Sequence, residues 1–280
     1  MTFLLQPGVV FVMIRKREKA GENMDKKSRP IAVFDSGVGG ISVLRELVKL
    51  MPRENYLYFG DSANAPYGDK TTQQVRELSL DVAHMLVQRG AKALVVACNT
   101  ATAAAIDVLR QTYPDMVVIG IEPALKMAAD RFPEGRIGVM ATCVTLREEK
   151  FSHQTERFPQ AQILPIPAPG LVELIESGNA QSEETEAFLR ELLASYVGKL
   201  DALVLGCTHY PFVEEAIRRV MGPETELMDG GAGTARQTKR CLEAAGLLND
   251  GPGSVQIENS GNDARLLKLS MELLGQGGTK

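Results

Sequence analysis

The 280-residue sequence predicts an α/β protein made of two similar domains with mainly parallel sheets. Short apolar strands alternate with amphipathic helices along the chain, as is typical of parallel strands joined by crossover helices. A strand–turn–helix pattern that begins at residue 31 restarts in the same order near residue 123. Because there are only two long copies, we expect two domains that face each other across a pseudo-two-fold axis, and not a solenoid.

The first domain is predicted to comprise residues 29–123 plus 229–280, and the second residues 124–228. The segment before them starts with the apolar "MTFLLQPGVVFVMI", which Pro7 and Gly8 interrupt and basic residues follow. A signal peptide has its positive charge first, and a membrane span needs about 20 apolar residues. We therefore interpret residues 1–28 as a disordered extension without a strand of the sheet, or as a misassigned start with Met24 as the true one.

The first domain begins with a strand over Ile31–Phe34, a glycine-rich turn and a helix. Apolar residues of this helix share one face at three- and four-residue spacing: Ile41, Leu44, Leu47 and Val48. "NYLYFGD" predicts the next strand, and Thr71 or Thr72 caps a helix that ends at Gly90. The apolar stripe of that helix is Val75, Leu78, Val82 and Leu86. "KALVVA" predicts a strand inside a parallel sheet, "CNTATAAAIDVLRQTY" a helix and "MVVIGI" a further strand.

The second domain repeats this form, with "IGVMAT" where "IAVFDS" stands in the first. "AQILPIPA" and "DALVLG" predict two further strands, separated by the helix "SEETEAFLRELLASYV". We expect one side of that helix to be buried through Leu189, Leu192, Leu193, Tyr196 and Val197. After "ELMDGGAGTARQTKRCLEAAGLL" we expect a polar stretch, a last short helix and a tail.

The composition is that of an ordinary globular protein, with 44% apolar residues, 24% charged residues and a net charge of −4. Basic residues are scattered, so nucleic acid and anionic membranes are not expected partners. The four cysteines form no CxxC pair. We expect reduced thiols in a cytoplasmic protein and no disulfide between Cys98 and Cys207.

Two of the cysteines occupy the same place in a duplicated pattern. "DALVLGCTHYP" (residues 201–211) repeats "KALVVACNTAT" (residues 92–102), and 207 − 98 = 109 residues separate Cys207 from Cys98. Both follow a strand at the edge where α/β proteins bind ligands, and the helix N-terminus that comes next favours anions and thiolates. A single such cysteine usually only packs in the core, but two mirrored ones indicate two thiols that point into one cleft.

The neighbouring polar residues allow two interpretations each. Asn99, Thr100, Thr208 and His209 are helix caps, or they bind the two ends of an amino acid. Asp35 caps the "SGVGG" turn or takes part in catalysis. We interpret four other residues as structural or solvent-facing: His84, His153, Cys143 and Cys241.

Other chemistries fit the sequence less well. Cys98, Cys207 and His209 could ligate a metal, but no CxxC or HExxH pattern supports such a site. "GVGGIS" lacks the third glycine of a dinucleotide fingerprint, and no phosphate-binding P-loop motif exists. A cysteine hydrolase would leave the second thiol unexplained. A cofactor-free racemase needs one base on each face of a planar carbanion, which two matched thiols provide.

Five ordered motifs resemble those of the glutamate racemase family, within the aspartate/glutamate racemases: "VFDSGVGG", "YFGDSANAPYG", "VVACNTATA", "IGVMATCVT" and "VLGCTHYP". They run from residue 31 to about residue 235. The resemblance implies a cofactor-independent, metal-free enzyme that makes D-glutamate for peptidoglycan in the cytoplasm, with its site between two α/β domains. It also implies a homodimer, and the N-terminal extension is similar to that of members that need a cell-wall precursor as activator.

The resemblance further implies roles for individual residues. Cys98 would deprotonate D-glutamate with help from Asp35, and Cys207 would deprotonate L-glutamate with help from His209. Glu176 resembles a further acidic helper, although Glu173 is an alternative. The positions that match substrate-holding residues are Asp35, Ser36, Tyr67, Gly68, Asn99, Thr100, Thr142, Thr145, Thr208 and His209. The chain departs from the commonest family pattern at Ala97, Ser62 and Asn64, where Gly, Thr and Arg are usual.

We therefore expect a glutamate racemase. One alternative is a related racemase that acts on aspartate, although such enzymes usually lack "CTHYP". The other is a non-catalytic amino-acid-binding protein with two α/β lobes, in which both cysteines would be dispensable for binding.

Overall fold

A computed structural model of the chain describes residues 9–11, 25–121, 124–147 and 149–275. These residues form two compact units, one from residues 1–121 with 231–280 and one from residues 122–230. Each unit is built on a sheet whose strand pairs are all parallel and whose strands are joined by helices. The predicted class, two α/β domains with mainly parallel sheets, is confirmed.

Unit 1 starts with eight elements in chain order. They are β1 (Val9–Phe11), β2 (Ile31–Asp35), α1 (Ile41–Leu50), β3 (Asn55–Gly60), α2 (Thr72–Gln88), β4 (Ala93–Val96), α3 (Asn99–Thr112) and β5 (Val117–Gly120). The predicted face of α1 is buried, and the side chain of Thr71 caps α2 in a capping box with Gln74. Strands β2 and β4 lie inside the sheet, and all of their residues are buried.

Unit 2 follows with ten elements. They are α4 (Ala124–Arg131), β6 (Arg136–Ala141), α5 (Cys143–Arg147), α6 (Glu149–Glu156), β7 (Gln162–Pro167), α7 (Leu171–Leu174), α8 (Glu183–Leu193), β8 (Ala202–Leu205), α9 (Glu214–Met221) and β9 (Glu226–Met228). The sheet order is β7-β6-β8-β9. Helix α8 ends at Leu193, and the side chain of Val197 is 44% exposed. The expectation that Val197 extends the buried face of this helix was therefore wrong, since the chain leaves the helix one turn earlier.

The chain then returns to unit 1 with α10 (Gly231–Ala244), β10 (Gly253–Asn259) and α11 (Ala264–Gly275). The sheet order of unit 1 is β1-β10-β3-β2-β4-β5. The polar stretch that was expected before the last helix contains β10, a strand that the sequence pattern did not predict. Several β10 side chains are only half-buried, so its sequence lacks the continuous apolar run of β2 or β4. Gly253 starts the strand at a close approach, where an added Cβ would lie 2.2 Å from the carbonyl oxygen of Pro52.

Most of the predicted N-terminal extension, residues 1–8 and 12–24, lies outside the described residues. Its described parts are ordered. Val9–Phe11 pairs with β10, and Asp25 caps a short 3₁₀ turn over Lys26–Ser28. The expectation of no strand was wrong for these three residues, because their β-branched and aromatic side chains suit the open edge of β10. Within the described ranges, no helix combines the length and apolarity that a membrane span requires.

Candidate functional site

Cys98 lies at the carboxyl end of β4 and is the N-cap residue of α3. Its side chain is 4% exposed, and its Sγ accepts a hydrogen bond from the backbone N–H of Ala101 at 3.4 Å. The free N–H groups and dipole of this 14-residue helix stabilise negative charge at its start. The location therefore suits a thiol that acts as a thiolate.

The β2–α1 turn supplies the polar groups beside Cys98. The thiol of Cys98 donates to Ser36 Oγ at 3.7 Å. Asp35, the last residue of β2, is fully buried, and its Oδ2 accepts the backbone N–H of Gly37 at 3.1 Å. The predicted turn cap is therefore present. Because β2 and β4 are neighbouring parallel strands, their carboxyl ends carry Asp35 and Cys98 to the same edge of the sheet.

Tyr67 begins a 3₁₀ turn over Tyr67–Asp69 that also contains Gly68. Its hydroxyl donates to Asp61 Oδ2 at 2.7 Å, and Asn64 Nδ2 donates to both carboxylate oxygens of Asp61 at 3.1 Å. Burial, together with the nearby Asp61, raises the pKa of Tyr67 well above its usual value. The phenol is thus committed to Asp61, which leaves the backbone of this turn for any contact with a ligand. Asp61 follows β3 at the same sheet edge, and its anchoring of Tyr67 was missing from the predicted roles.

The first turn of α3 carries Asn99 and Thr100, directly after Cys98. The Nδ2 atom of Asn99 is buried and makes no hydrogen bond to any part of the chain that the structure describes. A buried amide donor without a partner is rare in folded proteins. This donor is therefore available to an acceptor on a ligand, as the second interpretation of Asn99 requires.

In unit 2, Cys207 lies after β8 and is linked to a histidine and a glutamate. Cys207 Sγ is 3.7 Å from His209 Nδ1, and His209 Nε2–H donates to Glu176 Oε1 at 2.8 Å. The side chains of Cys207 and His209 are 7% and 3% exposed. Of the two acidic candidates, Glu176 makes the bond to His209, whereas Glu173 is exposed.

The charge state of His209 follows from these contacts. Burial alone lowers the pKa of an imidazole, but the hydrogen bonds to Cys207 and Glu176 together raise the pKa of His209 well above its usual value. An imidazolium between a sulfur and a carboxylate can donate to both. The arrangement can therefore stabilise a thiolate at Cys207 or return a proton to it.

Thr142 and Thr145 follow β6, the neighbour of β8, and so lie at the same sheet edge as Cys207. Their hydroxyl oxygens are 3.0 Å apart, and the backbone N–H of Thr145 donates to Thr142 Oγ1 at 3.3 Å. Thr208, next to Cys207, is buried. Each predicted residue of unit 2 thus lies at one sheet edge or in contact with His209.

All four cysteines are free thiols. No group of three or more His, Cys, Asp and Glu side chains in the described parts of the chain could hold a metal ion.

The family model for Asp/Glu/Hydantoin racemase matches residues 31–238, which include both cysteine segments. The chain belongs to this racemase family. The predicted family and enzyme class, an amino-acid racemase and hence an isomerase, are confirmed.

Individual members of the family are similar along most of the chain. A glutamate racemase of Clostridium perfringens is 47% identical over 254 residues, which is 89% of this chain and 98% of that protein. The crystal structure of glutamate racemase from Thermus thermophilus in complex with β-chloro-D-alanine has a TM-score of 0.77 and 38% identity. The match covers 88% of this chain and 93% of the Thermus thermophilus chain. The crystal structure of Escherichia coli glutamate racemase, in complex with L-glutamate and the activator UDP-MurNAc-Ala, has a TM-score of 0.77 and 30% identity. The match covers 88% of this chain and 95% of the Escherichia coli chain.

Proposed function

We propose that this racemase interconverts L- and D-glutamate without a cofactor, with Cys98 and Cys207 as its two bases. The observation that carries the proposal is the duplicated strand-end cysteine, one in each unit, each buried and each with its own charge-stabilising group. The names of the relatives support glutamate as substrate. The supply of D-glutamate for peptidoglycan, the cytoplasm as location and a homodimer as assembly belong to the same proposal.

The proposed reaction uses one thiolate and one thiol. With L-glutamate, the thiolate of Cys207 takes the α-hydrogen as a proton, so the C–H bond breaks and an S–H bond forms. The electron pair stays on the planar carbanion. The thiol of Cys98 then gives its proton to the opposite face, which forms D-glutamate and leaves a thiolate at Cys98. With D-glutamate the two cysteines exchange roles.

The other polar residues have supporting roles in this proposal. His209, held by Glu176, would assist Cys207, and Asp35 would assist Cys98. The free amide of Asn99 would bind a substrate carboxylate, as would the N–H groups at the start of α3. Further substrate contacts would come from Ser36, the backbone of Tyr67 and Gly68, Thr100, Thr142, Thr145 and Thr208.

The direction of hydrogen transfer tests the two-base mechanism. L-Glutamate is converted in deuterated water, and the separated enantiomers are analysed at early times by mass spectrometry or proton NMR. Nearly all D-glutamate should carry deuterium at the α-carbon, because its hydrogen comes from a thiol that exchanges with solvent. The remaining L-glutamate should carry little at first. D-Glutamate that keeps most of its original α-hydrogen would contradict two bases on opposite faces.

Two further assays separate the alternatives. Turnover should survive dialysis against a chelator and need no added pyridoxal phosphate or nucleotide. A loss of turnover on dialysis that added zinc restores would contradict a metal-free mechanism.

Faster racemisation of aspartate than of glutamate would favour the related racemase, and glutamate binding without turnover would favour a binding protein. UDP-MurNAc-Ala is the activator to add, because the Escherichia coli relative binds it.

A further inference from the structure

Tyr210 has an unusual place among the buried tyrosines. The hydroxyls of Tyr56, Tyr58 and Tyr67 each donate a hydrogen bond of 2.7–2.9 Å to a carbonyl or carboxylate oxygen. The Tyr210 side chain is 0% exposed, yet its hydroxyl finds no hydrogen-bond partner in the described chain. Buried hydroxyls are nearly always paired, so an unpaired one in a native protein calls for an explanation.

The backbone places Tyr210 next to the proposed reaction. It starts the 3₁₀ turn Tyr210–Val213, three residues after Cys207, and its N–H donates to the carbonyl oxygen of Cys207 at 3.1 Å. The hydroxyl lies near enough to Cys207, Glu173 and Cys143 for negative charge on each of them to act on it. The hydroxyl is thus a buried donor near a sulfur that becomes negative in the proposed reaction.

The neighbouring groups narrow the choice of acceptor. Burial raises the pKa of Tyr210 well above its usual value, and negative charge on Cys207, Glu173 or Cys143 raises it further. Tyr210 therefore keeps its proton and acts as a donor. Glu173 is exposed and Cys143 is half-buried, so water can stabilise their charges. Cys207 is buried, and water cannot do the same for its thiolate.

We propose that Tyr210 is a positioning residue whose unpaired hydroxyl stabilises the thiolate form of Cys207. The inference rests on the proposed role of Cys207 as a base. A thiol is a weak acceptor and a thiolate a strong one, so this hydrogen bond forms when the sulfur becomes charged. The hydroxyl makes no hydrogen bond in the resting protein as far as the structure describes it, so it breaks none when it turns to the thiolate. Tyr210 and His209 then both stabilise the thiolate of Cys207.

The test removes one hydroxyl and keeps the ring. Tyr210→Phe loses no hydrogen bond of the resting protein, so its melting temperature should stay the same or rise. Tyr56→Phe is the matched control, because the Tyr56 hydroxyl donates to the carbonyl oxygens of Leu47 and Met51. Tyr56→Phe should lower the melting temperature and leave racemisation unchanged. The two substitutions should therefore have opposite effects on stability and activity.

The thiolate is measured directly. Full-length protein without substrate is alkylated with iodoacetamide over a range of pH, and mass spectrometry follows the peptide that contains Cys207. In Tyr210→Phe the midpoint of this reaction should move to higher pH by about 0.5 units, which means roughly threefold less thiolate at a given pH below it. The acid limb of the racemisation profile should move in the same direction.

Several results would overturn the inference. One is an unchanged alkylation midpoint in Tyr210→Phe. Another is a lower melting temperature or a failure to fold, since either would show that the hydroxyl is paired in the resting protein. The alkylation shift does not require turnover. A chain that does not racemise glutamate but shows the shift would contradict the proposed function alone.

Discussion

The two cysteine segments have nearly the same sequence pattern but different surroundings. Cys98 caps the 14-residue helix α3, donates to the neutral hydroxyl of Ser36 and lies at the same sheet edge as Asp35. Cys207 is followed by a short 3₁₀ turn and lies beside the ionisable pair His209–Glu176. A duplicated strand end thus fixes where a thiol lies, whereas the residues after it decide how its charge is stabilised.

The difference has a physical consequence. A helix dipole and a serine hydroxyl do not titrate, so their effect on Cys98 is constant with pH. The pair beside Cys207 does titrate, because the raised pKa of His209 keeps the imidazole charged only below that pKa. Enantiomers have equal free energies in water, so kcat/KM must be equal in both directions whatever the asymmetry. The different surroundings of Cys98 and Cys207 must therefore be detected in the half-reactions, in their pH dependence and in the stability of the protein.

The largest expected effect comes from removal of either thiol. Cys98→Ala and Cys207→Ala should each lose at least about 10³-fold in racemisation, since each lacks an obligatory acid or base. In deuterated water, Cys207→Ala should still exchange the α-hydrogen of D-glutamate, and Cys98→Ala that of L-glutamate. NMR of each pure enantiomer measures this.

Cys241→Ala is the control for these variants, because Cys241 lies in α10 and contacts Gln237 instead. It should racemise like the unchanged chain. Exchange of the same enantiomer by both active-site variants would contradict the assignment of one face to each thiol.

Glu176→Gln sharpens the comparison at Cys207. Loss of a carboxylate that accepts a hydrogen bond from His209 should lower the pKa of His209, because that carboxylate favours the charged imidazole. The chain has three histidines, so proton NMR can follow each imidazole, and the His209 signal is the one absent in His209→Gln. Glu173→Gln is the matched control. A larger shift in Glu173→Gln than in Glu176→Gln would assign the pair to the other glutamate.

Stability should depend on pH through unit 2. The pKa of His209 is raised on folding, so protonation stabilises the folded state fully below the unfolded value of about 6.5. That contribution disappears as the pH rises through the raised pKa. Each tenfold change in proton affinity corresponds to about 1.4 kcal/mol. Urea unfolding at several pH values should show the advantage over His209→Gln shrinking on the alkaline side. A constant difference would contradict the charged imidazole.

The smallest effects concern the residues before the two thiols, Ala97 and Gly206. An added Cβ on Gly206 would lie 3.0 Å from the Met140 carbonyl oxygen, so Gly206→Ala should cost about 1–3 kcal/mol of unfolding free energy. Ala97→Gly should cost about 0.5–1 kcal/mol, because glycine gains chain entropy on unfolding. Urea denaturation measures both. Equal costs would mean that the two strand ends are packed alike.

The sequence predicted the parts of this comparison that depend on burial. The apolar runs of β4 and β8 indicated buried strands, and the cysteine that follows each run was recognised with them. Strand β10 was missed because its side chains are largely half-buried, and such a stretch resembles a polar loop.

The partner of His209 depends on backbone details that a sequence pattern does not contain. Glu173 and Glu176 are three residues apart, so helical spacing puts both on one side. The turn Ile175–Asn179 leaves the helix at Gly178, whose φ is 90°, and the structure pairs Glu176 with His209. The missing partner of Tyr210 is likewise a property of three-dimensional packing, because the sequence gives only its position in "CTHYP".

The position of β10 has a consequence for synthesis of the chain on the ribosome. β10 pairs with β3, yet residues 61–252 are translated between the two strands. At about 5–20 residues per second, the β3 edge stays open for roughly 10–40 s. Leu247 and Asn249, which bond to the buried pair Lys92–Glu54, also arrive late. Unit 2 is complete before β10 is made, so chaperones that recognise open strand edges should bind the nascent chain at unit 1.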